Sequence, residues 1–201
     1  MASDPRAVFV LDLIMEKSQI QNLFSEFIKN YNLGREKRIW EKQNADFRDF
    51  WQNIVMNNAV GMPTEKMKEM IQILDLNADR GPSGRRVYEE AVARAVIYQN
   101  YWEGAFQHLK ANRTAREALD RVFRAVTPDE KIAAINQLRA INVPALTGQK
   151  GVMLGCFLVG YDAFRNLSMA SLEHRYWTID AFELGVSSRF KEMSYGERIV
   201  S

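Results

Sequence analysis

Apolar side chains recur along this chain at intervals of three and four residues, the spacing that gathers them on one face of an α-helix. No stretch of useful length alternates apolar and polar positions as a half-buried strand does. The first helical run covers about residues 6–31 and carries Leu13, Ile20, Leu23, Phe24, Phe27, Ile28 and Tyr31. A second covers about 35–56, with Ile39, Trp40, Phe47, Phe50, Trp51, Ile54 and Val55. A short one follows Thr64 and bears Met67, Met70, Ile71, Ile73 and Leu74. The widest apolar face belongs to about 85–110, where Tyr88, Ala95, Trp102 and Leu109 recur every seven residues. A face that wide should touch several other helices. Further helices are predicted over about 115–126, 128–141, 152–166 and 170–182, the last resuming after Gly185.

Starts and stops punctuate these runs. Asp4-Pro5, Thr64 with Glu65, Ser83, Thr114 with Glu117 and Thr127 with Glu130 read as helix starts. In each, a side-chain oxygen can accept an orphan backbone N–H, and a glutamate three residues on closes the reciprocal bond where present. Asn32-Leu33-Gly34 and Asn142-Val143-Pro144 read as stops, because Asn and Gly tolerate a left-handed residue and Pro cannot continue a helix. The turn-rich stretch 77–84 is the clearest loop. The expected fold is all-α: one compact multi-helix bundle of about seven helices spanning 1–201, or two lobes, 1–80 and 84–201, divided near residue 82.

Composition narrows the setting. The chain has 201 residues, 47% of them hydrophobic and 26% charged, with a formal charge of +2, so a polyanionic partner would have to be held by a local patch. The single cysteine, Cys156, excludes an intrachain disulfide framework, which fits a reducing, cytoplasmic compartment. The N-terminus lacks the basic region of a signal peptide. The longest apolar run, 152–161, is about half a bilayer span, so a buried core helix is expected and no membrane partner.

Candidate chemistry is sparse. Lys110, Arg113, Arg116, Arg121 and Arg124 share a helix face, but Glu117 and Asp120 fall among them at i,i+4 spacing, so a solvated ion-pair lattice is expected. The loop Arg80-Gly81-Pro82-Ser83-Gly84-Arg85-Arg86 sets three guanidinium groups around a helix start, where free N–H groups and the positive dipole end favour an anion. Thr147-Gly148-Gln149-Lys150-Gly151 also precedes a helix, without Walker A spacing. Arg80, Arg85, Arg86 and Lys150 are therefore the candidate phosphate contacts. The run Arg35 to Lys42 reads as an exposed face beside the core residues Trp40, Phe47 and Trp51. His108 and Glu103 fall on different faces, and Glu173-His174-Arg175 reads as a surface or capping group. Cys156 lies in apolar surroundings that suppress thiolate chemistry. No catalytic residue, metal site or cofactor is expected from these patterns.

Two stretches carry a resemblance. Ser83-Gly84-Arg85-Arg86-Val87-Tyr88-Glu89-Glu90 resembles a helix opening in helical parts of restriction-type nucleases. Residues 145–148, 161–164 and 168–176 are similar to helical modules of restriction-type DNA-defence proteins. The likeness covers less than half of the chain and implies association with DNA or a nuclease complex. Cleavage is not implied, because the acidic and lysine cluster of such nucleases is missing. The expected function is thus a non-catalytic helical module that contacts nucleic-acid phosphates. The alternatives are a protein-interaction or self-assembly module, and an enzyme using a pocket in the bundle lined by residues such as Tyr98, Glu103, His108 and Asp162.

Overall fold

A computed structural model of the chain describes residues 17–57, 64–74, 99–143, 146–166, 171–181 and 187–201. Within them the fold is all-α: α1 (Lys17–Asn30), α2 (Leu33–Phe50), α3 (Thr64–Leu74), α4 (Gln99–Ala111), α5 (Arg113–Arg124), α6 (Pro128–Ala140), α7 (Val152–Tyr161), α8 (Leu172–Ala181) and α9 (Tyr195–Val200). A π-helical turn, Trp51–Met56, extends α2, and a short 3-10 turn, Ser187–Arg189, precedes α9. No helix among the described residues is long and apolar enough to cross a membrane. The expected starts at Asp4 and Ser83, the loop 77–84 and the lobe division near residue 82 lie outside the described residues.

The core is an aromatic cluster. Phe47, Trp51, Trp102, Phe106 and Phe157 are fully buried. Phe47 meets Phe123 and Phe157 edge-on at 6.2 and 5.8 Å, Trp51 meets Phe123 edge-on at 4.9 Å, and Phe106 lies 5.5 Å from Phe157. Such edge-to-face geometry places positive ring edges on negative faces. Phe47 and Trp51 come from α2 and its extension, and the others from α4, α5 and α7, so residues from both sides of position 82 share one core. Trp40, expected beside Phe47 and Trp51, is only half-buried.

Helix ends explain where expectation and structure part. The box at Thr127 is as expected: Thr127 Oγ1 accepts from Glu130 N, and Glu130 Oε2 accepts from Thr127 N at 3.0 Å. Asn142 takes the left-handed conformation, φ 56°, just past α6. The expected stop near Asn32 is present, since α1 ends at Asn30, but Asn32 itself starts α2 by accepting from Arg35 N at 3.0 Å, and Gly34 lies inside that helix. Asn112 rather than Thr114 caps α5, taking Ala115 N at 3.0 Å.

Helix α7 ends at Tyr161, five residues short of the expected limit. The cause is Asn44, buried on α2: its amide donates to the Val159 and Gly160 carbonyls at 2.8 and 2.6 Å, and its oxygen accepts from Ala163 N at 3.0 Å. Arg48 adds a bond to Tyr161 O at 3.1 Å. With its last carbonyls satisfied from another helix, α7 has no need of a further turn.

On α5 the ion-pair lattice is only partly formed. Arg113–Glu117 and Arg124–Asp120 pair at 2.7 and 2.6 Å. Arg116 instead donates to the Leu109 and Lys110 carbonyls at the end of α4. Asp120 is shared with the π-helical turn, accepting from Trp51 Nε1 at 2.9 Å and Gln52 Nε2 at 3.2 Å.

Candidate functional site

A cleft of about 500 Å³ opens where the start of α6, the segment after α7, α8 and the end of α9 meet. It is lined by Val126, Thr127, Pro128 and Lys131, by Arg165 and Asn166, and by Arg175, Ile199, Val200 and Ser201. Three of these ten residues are cations, and none is an aspartate or glutamate.

Close packing holds α9 in place beside the cleft. Gly196 N donates to Asn136 Oδ1 at 2.8 Å, and Asn136 Nδ2 donates to Ser194 Oγ at 3.2 Å. A Cβ at Gly196 would stand 2.5 Å from the Ile132 carbonyl, so only glycine lets α9 approach α6 this closely. Gly151 needs glycine for a different reason, its left-handed φ of 67°; a Cβ there would meet the tip of the Ile199 side chain, Cδ1, at 2.7 Å. A capping box between Ser194 and Glu197 starts α9.

Each polar wall residue is oriented by its neighbours. Asn166 Nδ2 donates to the Leu158 and Asp162 carbonyls at 3.1 and 2.7 Å, which turns its oxygen toward Lys131 Nζ at 2.8 Å. Arg165 spends one of its five N–H groups on Val126 O at 2.7 Å. Arg175 is 4% exposed and donates from Nη1 to Ile199 O at 2.6 Å.

The electrostatics are unfavourable as they stand. Lys131 is the fourth residue after the Thr127 cap, near the positive end of α6. Burial holds its ammonium below the usual lysine value, the Arg165 charge adds to that, and only Asp162 opposes it. Burial likewise lowers Arg175 from the ordinary arginine value, though a guanidinium stays charged there. Among the described residues, neither Lys131 nor Arg165 has a carboxylate within ion-pair distance. The amides around the α6 start are partly taken, because Val126 N and Thr127 N donate to Glu130 Oε2 at 3.0 Å and Glu130 N donates to Thr127 Oγ1 at 3.2 Å. A bound anion would therefore rest mainly on side chains.

The residues expected from sequence fare differently. Arg80, Arg85 and Arg86 lie outside the described residues. Lys150 is exposed, and its carbonyl accepts from Leu172 N at 2.9 Å. In its loop, the amides of Leu146, Thr147 and Gly151 bond to the Val143 and Gly148 carbonyls, while Arg139 binds Thr147 O. Arg175, expected at the surface, is buried, because Leu172, Arg175 and Ile179 share the inward face of α8. Glu173 and His174 beside it are exposed. Tyr98 lies outside the described residues. Glu103 is exposed, His108 contacts Asn112 at 3.4 Å, and Asp162 accepts from Phe164 N at 3.0 Å. No group of three metal-ligating side chains occurs among the described residues.

Lys131, Arg165 and Asn166 carry no sequence signal of their own, since their meeting depends on where α7 stops. For Arg175 a signal existed in its spacing to Leu172 and Ile179. No protein-family model matches the chain, and no curated protein or solved structure matches it either.

Proposed function

We propose that this protein is a non-catalytic helical module that holds nucleic acid by its phosphates, with the cleft around Lys131, Arg165 and Arg175 as the point of contact. One observation carries this reading: three cations, one buried and one half-buried, converge on a concave site whose walls hold no acidic side chain. Burial and the neighbouring Arg165 charge both disfavour the Lys131 ammonium, an anion relieves both, and arginine forks match phosphate oxygens in two-point contact. A defence role and a cytoplasmic site, where Cys156 stays reduced, belong to the proposal.

The test is a fluorescence-anisotropy titration with single-stranded and duplex oligonucleotides at low salt. Binding should weaken steeply as salt rises and fall in a Lys131→Ala, Arg165→Ala double variant. Absence of binding to any strand at low salt would remove the proposal.

A second reading, protein interaction or self-association, is favoured by one other feature. On α1, Leu23, Phe24, Phe27 and Ile28 are each more than half exposed, and Tyr31 and Leu33 extend the same apolar surface. Contiguous apolar surface of that kind is characteristic of partner-binding faces. A strict monomer in sedimentation at high concentration, with no partner recovered, would argue against this reading.

A further inference from the structure

We infer that the apolar face of α1 is a self-complementary seam, covered by α1 of a second copy of this chain lying antiparallel to it. The inference rests on the self-association reading above and fixes its geometry.

Three observations name the occupant. The first is need: from Gln21 to Gly34 every residue is exposed, so nothing among the described residues covers that stretch. A 14-residue helix is marginal in water on its own and gains its stability by burying an amphipathic face. The second is symmetry. At about 100° per residue, Leu23, Phe24, Phe27 and Ile28 fall in one stripe, and their spacing reads the same in both directions. Let a second α1 run antiparallel about the midpoint between Ser25 and Glu26. Phe24 of each copy then comes level with Phe27 of the other, and Leu23 with Ile28. Each apolar side chain meets an apolar one, as a two-fold contact of like surfaces requires. Tyr31, whose ring lies 4.6 Å from that of Phe27, prolongs the stripe. The third is charge. Between residues 21 and 30 the only charged residues are Glu26 and Lys29; they lie on the far side of the helix and pair with each other at 2.9 Å. The side chains of Ser25 and Asn30 bond back to the Gln21 and Glu26 carbonyls at 2.8 and 3.1 Å. An anionic membrane surface would call for a lysine- and arginine-rich polar face, and a charged peptide for opposite charges along the stripe. Helix α1 supplies neither between these residues. An identical neutral stripe fits.

The experiment is sedimentation equilibrium of the full chain from about 1 to 500 µM, at low and at high salt. The seam is one helix wide and about 21 Å long, short of a standard interface, so a reversible dimer with a dissociation constant of about tens of micromolar is expected. At micromolar concentration the chain is then monomeric, and its stability there is independent of these rings. Phe24→Ser with Phe27→Ser should raise the dissociation constant by about tenfold or more, while Phe164→Ser, at an exposed ring outside α1, should leave it unchanged. High salt should not weaken the dimer, since no ion pair crosses the seam. Orientation is read by oxidative cross-linking of single changes to cysteine, with which the buried Cys156 does not compete. In the antiparallel pair the two positions 24 lie about 4–5 Å apart along the axis and the two positions 31 about 16 Å apart. Phe24→Cys should therefore cross-link and Tyr31→Cys should not, because a disulfide needs Cα atoms within about 7 Å. A strict monomer at the highest concentration overturns this inference and self-association with it. A dimer that the Phe24 and Phe27 changes leave intact, or that salt dissolves, overturns the inference alone. Cross-linking at position 31 equal to that at 24 does the same.

Discussion

On α5, Ala115, Ala118, Leu119, Val122 and Phe123 form an apolar stripe that is buried throughout, while on α1 Leu23, Phe24, Phe27 and Ile28 keep more than half of their surface in water. Both helices show the same periodicity, so periodicity identifies the helix and not its partner. Neighbours make the difference. Helix α5 is tied to α4 through Asn112, which caps it, and through Arg116, which takes the last α4 carbonyls. It is tied to the π-helical turn through Asp120 and Trp51, and it packs along α6. Helix α1 leads directly into α2, but α2 turns its own buried face to α7 through Asn44 and Phe47. The same contrast separates two sets of polar groups: Asn44, Asp120 and Asn136 bond across helices inside the bundle, while Lys131 and Arg165 in the cleft have no carboxylate within ion-pair distance among the described residues.

The contrast can be broken most strongly at its buried pole. Phe157→Ala removes a ring in contact with Phe47, Trp102 and Phe106, and should lower stability by about 3–5 kcal/mol in urea denaturation. A loss below about 1 kcal/mol would mean that the aromatic cluster is not the core.

Next in size is the joint between α2 and α7. Asn44→Ala leaves the Val159 and Gly160 carbonyls and the Ala163 amide without their buried partner, and should cost about 2–3 kcal/mol by the same measurement. A neutral result would show that something other than Asn44 ends α7.

Acid should act through the capping boxes. The Thr127 and Val126 amides hold Glu130 below the ordinary glutamate range, and the Ser194 hydroxyl and amide hold Glu197 below it. A depressed folded pKa contributes stability that is complete above the unfolded value and is lost as pH falls through the folded one. Thermal midpoints should therefore decline on acidification below the usual glutamate pKa, and a Glu130→Gln, Glu197→Gln variant should decline less steeply over the same range.

The smallest effect is expected at the exposed pole. Phe24→Ser with Phe27→Ser should change stability by no more than about 0.5 kcal/mol, since neither ring is buried. A loss of several kcal/mol would mean that α1 is as much a part of the packed interior as α5.

What the sequence disclosed follows the same division between local and distant causes. The Thr127–Glu130 box and the left-handed Asn142 depend on residues within one turn of each other, and both are where the pattern put them. Asn32 and Asn112 show the ambiguity that remains at short range. Asparagine serves both ends of a helix, and which end it takes depends on the flanking backbone. The short α7, the diversion of Asp120 to Trp51 and the burial of Arg175 are set by partners far along the chain, beyond any periodic signal. The cleft is the extreme case. Its walls come from 126–131, 165–166, 175 and 199–201, which no spacing rule connects. Basic residues near glycines drew attention instead to Lys150, whose loop turns its amides inward.

The proposed contact and the rival surface on α1 are best separated by mapping amide chemical shifts of the isotope-labelled chain as a single-stranded oligonucleotide is added at low salt. The account expects the amides of 126–131, 165–166 and 199–201 to move together and saturate, while those of α1 stay in place. Shifts confined to α1, or no shift in the cleft at a concentration where the strand is bound, would contradict it.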